Sequence, residues 1–460
     1  MKFLDRREFL GGAAALAASP ALAQTTAQAS MPGDVDVVIV GAGAAGIAAA
    51  RRVAAAGRSY ALLEAQDRIG GRVWTATGAL GIAHDRGAHR ISASGRNPLV
   101  SLGRLAGLKL TQPAPFRRLY VGSREARDSE YDNFTAARHR ASRAIVAAGE
   151  AGLDLPAART LPDLADWRGT VSFVLGPYST TKDLEEVSTV DYARADDQSD
   201  ELVCAGGLGR LISAAAGTLR VELSAPVTRI DSRGRGSITV ETDRGSVRAN
   251  TVIVTASTGI LNSGAIKFEP GLPKRTGDAI AALSLGTRDR LIFEFKGNPF
   301  GFADDQRAIF KSDDSRTIAL IGRAGGTDLA FADFCGRFGL EMANAGEAAM
   351  KDFVAETLAA HFGAESRKLI GRAEAVRWSR EPWILGAGSV AAPRGGSYRR
   401  ALGEPVHDRI FLAGEALHET WWGTVAGAWI SGERAADAAL RLIDRAGAAA
   451  ERKASPRRRQ

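Results

Sequence analysis

The sequence predicts an α/β protein in which a parallel-sheet domain is interleaved with a second, mixed α+β domain. Three observations carry this. The chain has 460 residues, too many for one ordinary core and enough for two domains. A short β-branched run, Val35 to Val40, opens directly into a glycine-rich turn and an alanine-rich helix, as a buried parallel strand with its crossover helix does. A second apolar strand running into glycine, IFLAG (Ile410 to Gly414), recurs far along the chain, before another helix of small residues.

The first unit is the more specific. Its turn reads Gly41-Ala-Gly43-Ala-Ala-Gly46, its helix extends to about Ala56, Gly57 stops it, and the next strand, SYALLE, ends at Glu64. In this context the glycines have separate tasks: Gly41 permits the tight turn, Gly43 lets a pyrophosphate approach the backbone, and Gly46 lets helix and strand pack closely. The helix N-terminus, at Ala45, offers free N–H groups and the positive end of a dipole. Glu64, followed by Ala65, stands where a carboxylate accepts from ribose hydroxyls. Immediately downstream comes AQDRIGGRVWT, with a second glycine pair (Gly70, Gly71), Arg72 and Thr75. A guanidinium fork matches phosphate geometry.

Together Glu64, Gly70-Gly71-Arg72 and Thr75 resemble the flavin-containing amine oxidase family, which includes the monoamine and polyamine oxidases. The resemblance covers roughly Asp34 to Leu440. HDRGAHRISASGRNPL (His84 to Leu99), CAGGLGRLISAAA, VELSAPVTRID and the stretch Ala249 to Gly286 are similar to successive family segments, and FLAGEALHETWWGTVAGAWISGERAA to its C-terminal flavin motif. The resemblance implies FAD, gripped at both ends. The first loop takes the adenosine side and pyrophosphate, and Val227 holds the adenine through its backbone. Gly414 and Glu415 close over the pyrophosphate or ribityl side, with Thr424 and Val425 at the flavin end. The helix from about Val425 points its N-terminus at the ring, where its dipole favours the anionic reduced form.

The implied chemistry asks little of side chains. The flavin takes a hydride from the carbon beside a neutral amine nitrogen, and water hydrolyses the imine; the protein binds, orients and desolvates. Three family positions depart from pattern. A lysine that holds a water near the flavin is replaced by Arg290, which keeps the charge but does not deprotonate. A tyrosine of the amine-guiding aromatic pair is replaced by Gly388. The partner position is Thr424, as in the polyamine branch. Ala387 stands where monoamine oxidases attach flavin through cysteine, which implies non-covalent FAD. Trp421, Trp422 or Trp383 is expected to fill the space that Gly388 opens, and Trp422 is counted with Arg290, Gly388 and Thr424 as a candidate catalytic-site residue. The expected substrate is a secondary, cyclic or polyamine. An amino-acid oxidase with Arg90 or Arg290 on the substrate carboxylate, a desaturase, or a non-catalytic exported FAD-binding protein remain alternatives.

The remaining signals bound the setting. Cys204 and Cys335 make neither a disulfide framework nor a zinc site, and the six histidines show no ligand spacing, so no metal is expected. The formal charge is +8, of which ERKASPRRRQ at the end carries five Lys/Arg and one Glu. With half the excess in the tail, nucleic acid is not the expected partner. MKFLDRREFLGGAAALAASPALAQ places Arg6-Arg7 ahead of an Ala-rich run and Ala21-Leu22-Ala23. It resembles a twin-arginine signal peptide cleaved near residue 23, which implies the periplasm. The electron acceptor is then O2 or a periplasmic carrier such as a cytochrome. The expected domain layout is a signal peptide at 1–30, FAD-binding segments 33–85, 200–284 and 400–447, substrate segments 86–199 and 285–399, and a disordered basic tail at 448–460. No apolar run long enough for membrane insertion follows the signal. Leu291 to Phe295 and Thr317 to Gly322 read as substrate-domain strands, Ala345 to Phe362 as an amphipathic helix and Asp128 to Gly149 as a surface helix.

Overall fold

The structure is a computed structural model and describes residues 31, 33–114, 118–196, 200–234 and 236–454. The proposed signal peptide and the end of the basic tail lie outside the described residues. Strand β1 (Val35–Val40), helix α1 (Ala44–Ala55) and strand β2 (Tyr60–Leu63) form the expected βαβ unit. β1 pairs in parallel with β2 on one side and with Gly245–Val254 on the other, and Ile410–Leu412 joins Gly245–Val254, also in parallel. Antiparallel strands Val227–Asp231 and Ile238–Thr242 extend this seven-stranded sheet. β1 is fully apolar at its centre because both faces are covered: Val37, Val38 and Ile39 are all 0% exposed.

The second seven-stranded sheet contains Ile370–Val376, Arg288–Phe295, Leu329–Cys335, Ile318–Gly322, Gln306–Phe310, Arg118–Val121 and Arg124–Glu125, in that order. It is antiparallel except where Gln306–Phe310 meets Arg118–Val121. The helix Asp128–Glu150 lies on this body with Phe134, Ala137, Ala141 and Ile145 buried along one face.

Three boundaries differ from those read in the sequence. The helix expected over Ala345 to Phe362 runs Glu347–Phe362, and Gly346, at φ +99°, a conformation that breaks a helix and that glycine reaches at little cost, separates it from a preceding helix, Gly336–Ala345. The strand expected from Leu291 begins at Arg288. The C-terminal helix, Val425–Ala454, continues through part of the segment expected to be disordered, since AAAERKA consists largely of strong helix formers. Cys204 and Cys335 are both buried and free. Among the described residues no helix is long and apolar enough to cross a membrane, and no group of His, Cys, Asp and Glu is arranged to hold a metal.

One buried acid carries a pH signature. Asp289 is fully buried and accepts from the Ser379 amide (3.1 Å) and hydroxyl. Burial nonetheless pushes its pKa up to about 6, against the hydrogen bonds of Ser379 and Trp378. A raised carboxyl favours the fold while protonated, and that contribution is lost as pH rises from its unfolded value, 3.8, through about 6. Asp289→Asn removes the titration. Its stability relative to wild type should therefore climb between pH 4 and 6 and level off above, by on the order of 2 kcal/mol. Urea unfolding of both proteins across that range checks it, and a flat difference rules it out.

Candidate active site

A cavity of about 860 Å³ runs from the glycine turn of β1–α1 to the second sheet. At the first end the turn fits a pyrophosphate. A Cβ on Gly46 would lie 1.8 Å from the Gly41 carbonyl oxygen, so only glycine lets α1 start this close to β1. Gly43 caps α1 with no side-chain hydrogen bond, which leaves the first amides of the helix, around Ala44 and Ala45, directed into the cavity without an intrahelical partner. Gly70 bridges Gly43, its amide donating to the Ala42 carbonyl (2.8 Å), and the Cα atoms of Gly43 and Gly71 come close enough that a Cβ on Gly71 would be 3.4 Å from Gly43. Two glycine turns thus form one lip.

Glu64 ends β2 and is buried; its carboxylate accepts from the amides of Ala42 (2.7 Å) and Gln66 (2.9 Å). Burial raises its pKa against those amides. Ala65 and Val227 also line this end, Val227 at the start of its strand, beside an irregularity in the pairing with Ile238–Thr242.

The second glycine strand reaches the same cavity from the far end of the chain. Gly414, at φ +146°, turns the backbone so that Glu415 enters the protein, where it is 7% exposed. One carboxylate oxygen accepts from Arg72 Nη1 (3.0 Å); the other accepts from the Ser389 hydroxyl (2.7 Å) and the amides of Ser389 (3.3 Å) and Gly423 (2.9 Å). Burial alone would lift its pKa, but Arg72, Ser389 and Arg399 outweigh it and hold the carboxyl below its ordinary value. Arg72 Nη1 also donates to the Ala387 carbonyl. Thr424 caps the C-terminal helix, its hydroxyl accepting from the Gly427 amide (2.9 Å) and donating to the Trp421 carbonyl (2.7 Å). Val425, the first helical residue, lines the cavity.

Arg399 supports this end from behind. It is 2% exposed and makes a two-pronged pair with Asp191, both bonds 2.7 Å, while Nη1 donates to the Ser389 hydroxyl (3.1 Å) and the Ala416 carbonyl (2.8 Å). Its guanidinium lies 4.9 Å from the Trp422 ring centre. Trp422 therefore stands against a fixed cation with its face set.

The wall opposite comes from the second sheet. Arg288 and Arg290 are two apart in one strand and share a face; both line the cavity, whereas Asp289 between them turns to Ser379. Arg290 is buried and paired with Asp333 through Nε (2.7 Å) and Nη2 (3.2 Å). Gly388 bonds both to Gly286, whose amide donates to its carbonyl (2.8 Å), and to the Thr181 hydroxyl (2.9 Å). A Cβ on Gly388 would meet Thr181 at 3.5 Å, ordinary contact, so the missing side chain leaves open space and no backbone demand.

Trp422 and Trp383 both line the cavity, and Gly423, next to Trp422, would stand 3.7 Å from a Cβ on Gly388. Trp421 does not line the cavity: its Nε1 donates to Asp196 (2.6 Å) and its ring packs in the core beside Trp429 and Ala426. The expectation that Trp421 could fill the gap is therefore corrected; in the turn before the C-terminal helix, Trp421 and Trp422 point to different sides. Sequence reasoning also missed Ser389, Arg399, Asp191 and Asp333. Only Arg288 left a signal, its two-residue spacing from Arg290.

The model of the flavin containing amine oxidoreductase family matches residues 44–141 and 157–440. The chain belongs to this family. Its curated relatives include lysine-specific histone demethylase 1 homolog 1 of Oryza sativa subsp. japonica, 28% identical over 89% of this chain and 52% of that protein. Polyamine oxidase 4 of the same plant is 27% identical, over 88% of this chain and 89% of that one. The chain spans about half the length of the demethylase relatives. Among solved structures, putrescine oxidase bound to putrescine superposes with a TM-score of 0.74 at 22% identity, covering 89% of this chain and 99% of that one. Cyclohexylamine oxidase from Brevibacterium oxydans gives 0.75 at 22%, covering 89% and 100%. These structures show the amine-oxidase fold. FAD is the cofactor that membership of this family carries.

Proposed function

We propose that this oxidoreductase removes two electrons and a proton from the C–H bond beside an amine nitrogen of a small-molecule substrate, giving an imine that water hydrolyses. The observation that carries this reading is the single cavity joining the glycine lip, which fits a dinucleotide, to a walled space at Gly388, Thr181 and Trp422. FAD, held without a covalent bond because Ala387 has no nucleophile, supplies the two-electron acceptor. The first amides of α1 and the helix dipole hold its pyrophosphate, and Glu64 is placed for ribose hydroxyls. Arg72 and Glu415 fix each other and the loop that closes on the flavin end.

Substrate orientation falls to the space around Gly388. Thr181 and the Trp422 ring form its sides, and Arg399 keeps that ring from turning. Arg290 does not act as a base, since guanidinium stays charged at working pH; paired with Asp333 it sets a fixed charge in the wall. The amine must enter neutral, so that its lone pair can form the C=N bond.

Secondary, cyclic and polyamines are the substrate classes favoured by the family resemblance, and O2 or a soluble periplasmic carrier is the acceptor. Export by the twin-arginine route rests on Arg6-Arg7 and the apolar run behind them.

The test is anaerobic. Purified yellow protein is mixed with a panel of amines and amino acids, and loss of the flavin band is followed. Bleaching by at least one member is expected, and admitting air or a cytochrome then identifies the acceptor. A protein whose flavin dithionite bleaches but no amine does would refute amine oxidation.

A further inference from the structure

A threonine occupies a backbone position that favours glycine. Thr181 follows the helix Pro177–Thr180 at φ +72° and ψ −1°. Glycine is the residue that commonly ends a helix in this left-handed conformation, as Gly57 and Gly264 do here. For a residue branched at Cβ it is strained. The strain is pinned by the surroundings. The Thr181 amide donates to the Pro177 carbonyl (2.9 Å), and its carbonyl accepts from the Thr287 amide (2.9 Å). A Cβ on Gly286 would lie 2.3 Å from that carbonyl oxygen. Lys182, next in the chain, is 7% exposed, and its Nζ donates to the Ser284 hydroxyl (2.7 Å).

The side chain held in this way stands at the space assigned to substrate. Thr181 lines the cavity, and its hydroxyl donates to the Gly388 carbonyl (2.9 Å). That bond fixes χ1 and with it the methyl group, because both branch from one Cβ. The methyl is the nearest atom to the point where a side chain on Gly388 would begin, 3.5 Å from a Cβ there. Serine would make the same hydrogen bond, and glycine would carry no strain. What threonine alone adds is a methyl group at a fixed place.

We propose that Thr181 is a specificity-determining residue. Its methyl bounds the substrate beside Gly388 and rejects molecules one methyl group wider at that point. The wall does not yield, because the backbone behind it is bonded on both sides and a close-packed interior resists such a displacement. One methyl or methylene group in an apolar pocket is worth about 10- to 200-fold in discrimination. The assignment rests on reading this space as the substrate site, but the size limit is measurable by binding, without turnover.

The probes are benzamide and its three ring-methylated isomers, titrated into the flavin-loaded protein and followed by the shift of the flavin absorption band. Wild type should bind at least one isomer about tenfold more weakly than benzamide. Thr181→Ser, which keeps the hydrogen bond and removes the methyl, should narrow that gap at least about fivefold, and Thr181→Gly should do the same. Thr181→Val, which keeps the methyl and loses the hydroxyl, should retain the wild-type gap. A threonine with a structural task alone gives the reverse, Thr181→Ser like wild type and Thr181→Val relaxed, and that result overturns the proposal. Equal affinities for all four probes in wild type, no binding of any, or a gap unchanged in both Thr181→Ser and Thr181→Gly overturns it as well. If Thr181→Val does not retain flavin, Thr181→Ser and Thr181→Gly against wild type decide by the same comparison. Benzylamine and its ring-methylated isomers separate this idea from the reading beneath it. Flavin bleached at the same relative rates in wild type and Thr181→Ser refutes the size limit and leaves amine oxidation standing. Binding that follows the methyl, with no amine bleaching the flavin, supports the size limit and refutes amine oxidation.

Discussion

Gly46→Ala should yield a folded but nearly colourless protein, with flavin content reduced to about a tenth or less. The added Cβ would fall 1.8 Å from the Gly41 carbonyl oxygen and 2.9 Å from its carbon, distances that no non-bonded carbon tolerates. Helix α1 must then back away from β1, and the amides that receive the pyrophosphate leave with it. Because the loss is geometric, added FAD should recover little. Gly57 provides the control. It ends α1 at φ +69°, but a Cβ there meets nothing within 4 Å, so Gly57→Asn costs at most about 1 kcal/mol of backbone strain and keeps its flavin. The ratio of 450 to 280 nm absorbance after gel filtration reads both. A yellow Gly46→Ala protein would mean that the turn is not the dinucleotide cradle.

Asp191→Ala is expected to destabilise the protein by about 3–5 kcal/mol, the usual cost of leaving one member of a buried ion pair alone. Asp191 and Arg399 are 0% and 2% exposed, so water does not replace the lost carboxylate. Asp191 also accepts from the Ala391 amide (2.9 Å), which ties the Ser389 strip to the rest. The damage should therefore reach the site: a freed Arg399 no longer fixes Trp422 or the Ser389 hydroxyl that holds Glu415. Urea unfolding followed by flavin release measures the first effect, and flavin fluorescence quenching the second. Asp191→Leu combined with Arg399→Met should recover much of the stability, since removing both charges leaves neither stranded. An Asp191→Ala protein within 1 kcal/mol of wild type would show that the pair is not insulated from water.

What the sequence disclosed follows from how far each signal reaches. The β1–α1–β2 unit was legible because strand, glycines, helix and Glu64 lie within thirty or so consecutive residues, each constraining the next. Glu415 and Thr424 were legible through family resemblance. The partners were not: Arg72 meets Glu415 across 343 positions, Arg290 meets Asp333 across 43, and Arg399 meets Asp191 across 208. Hydropathy periodicity shows which face a residue takes, not what waits there. That is also why Trp421 and Trp422 could not be told apart: adjacent residues in an irregular turn carry no period. Gly346 is a plainer miss, a single glycine whose positive φ starts the expected helix two residues late, behind a helix, Gly336–Ala345, that was not read at all.

The joining of Arg72 to Glu415 has a consequence in time. A ribosome delivers the glycine lip early and Glu415 hundreds of residues later, so for most of synthesis the nascent chain holds half a binding site. α1 waits as well, because Gly432 of the C-terminal helix packs so closely that a Cβ there would lie 2.0 Å from the Ala45 carbonyl oxygen. Loading with FAD is therefore a late event in the life of each molecule, and the pigment marks a chain whose two ends have already met.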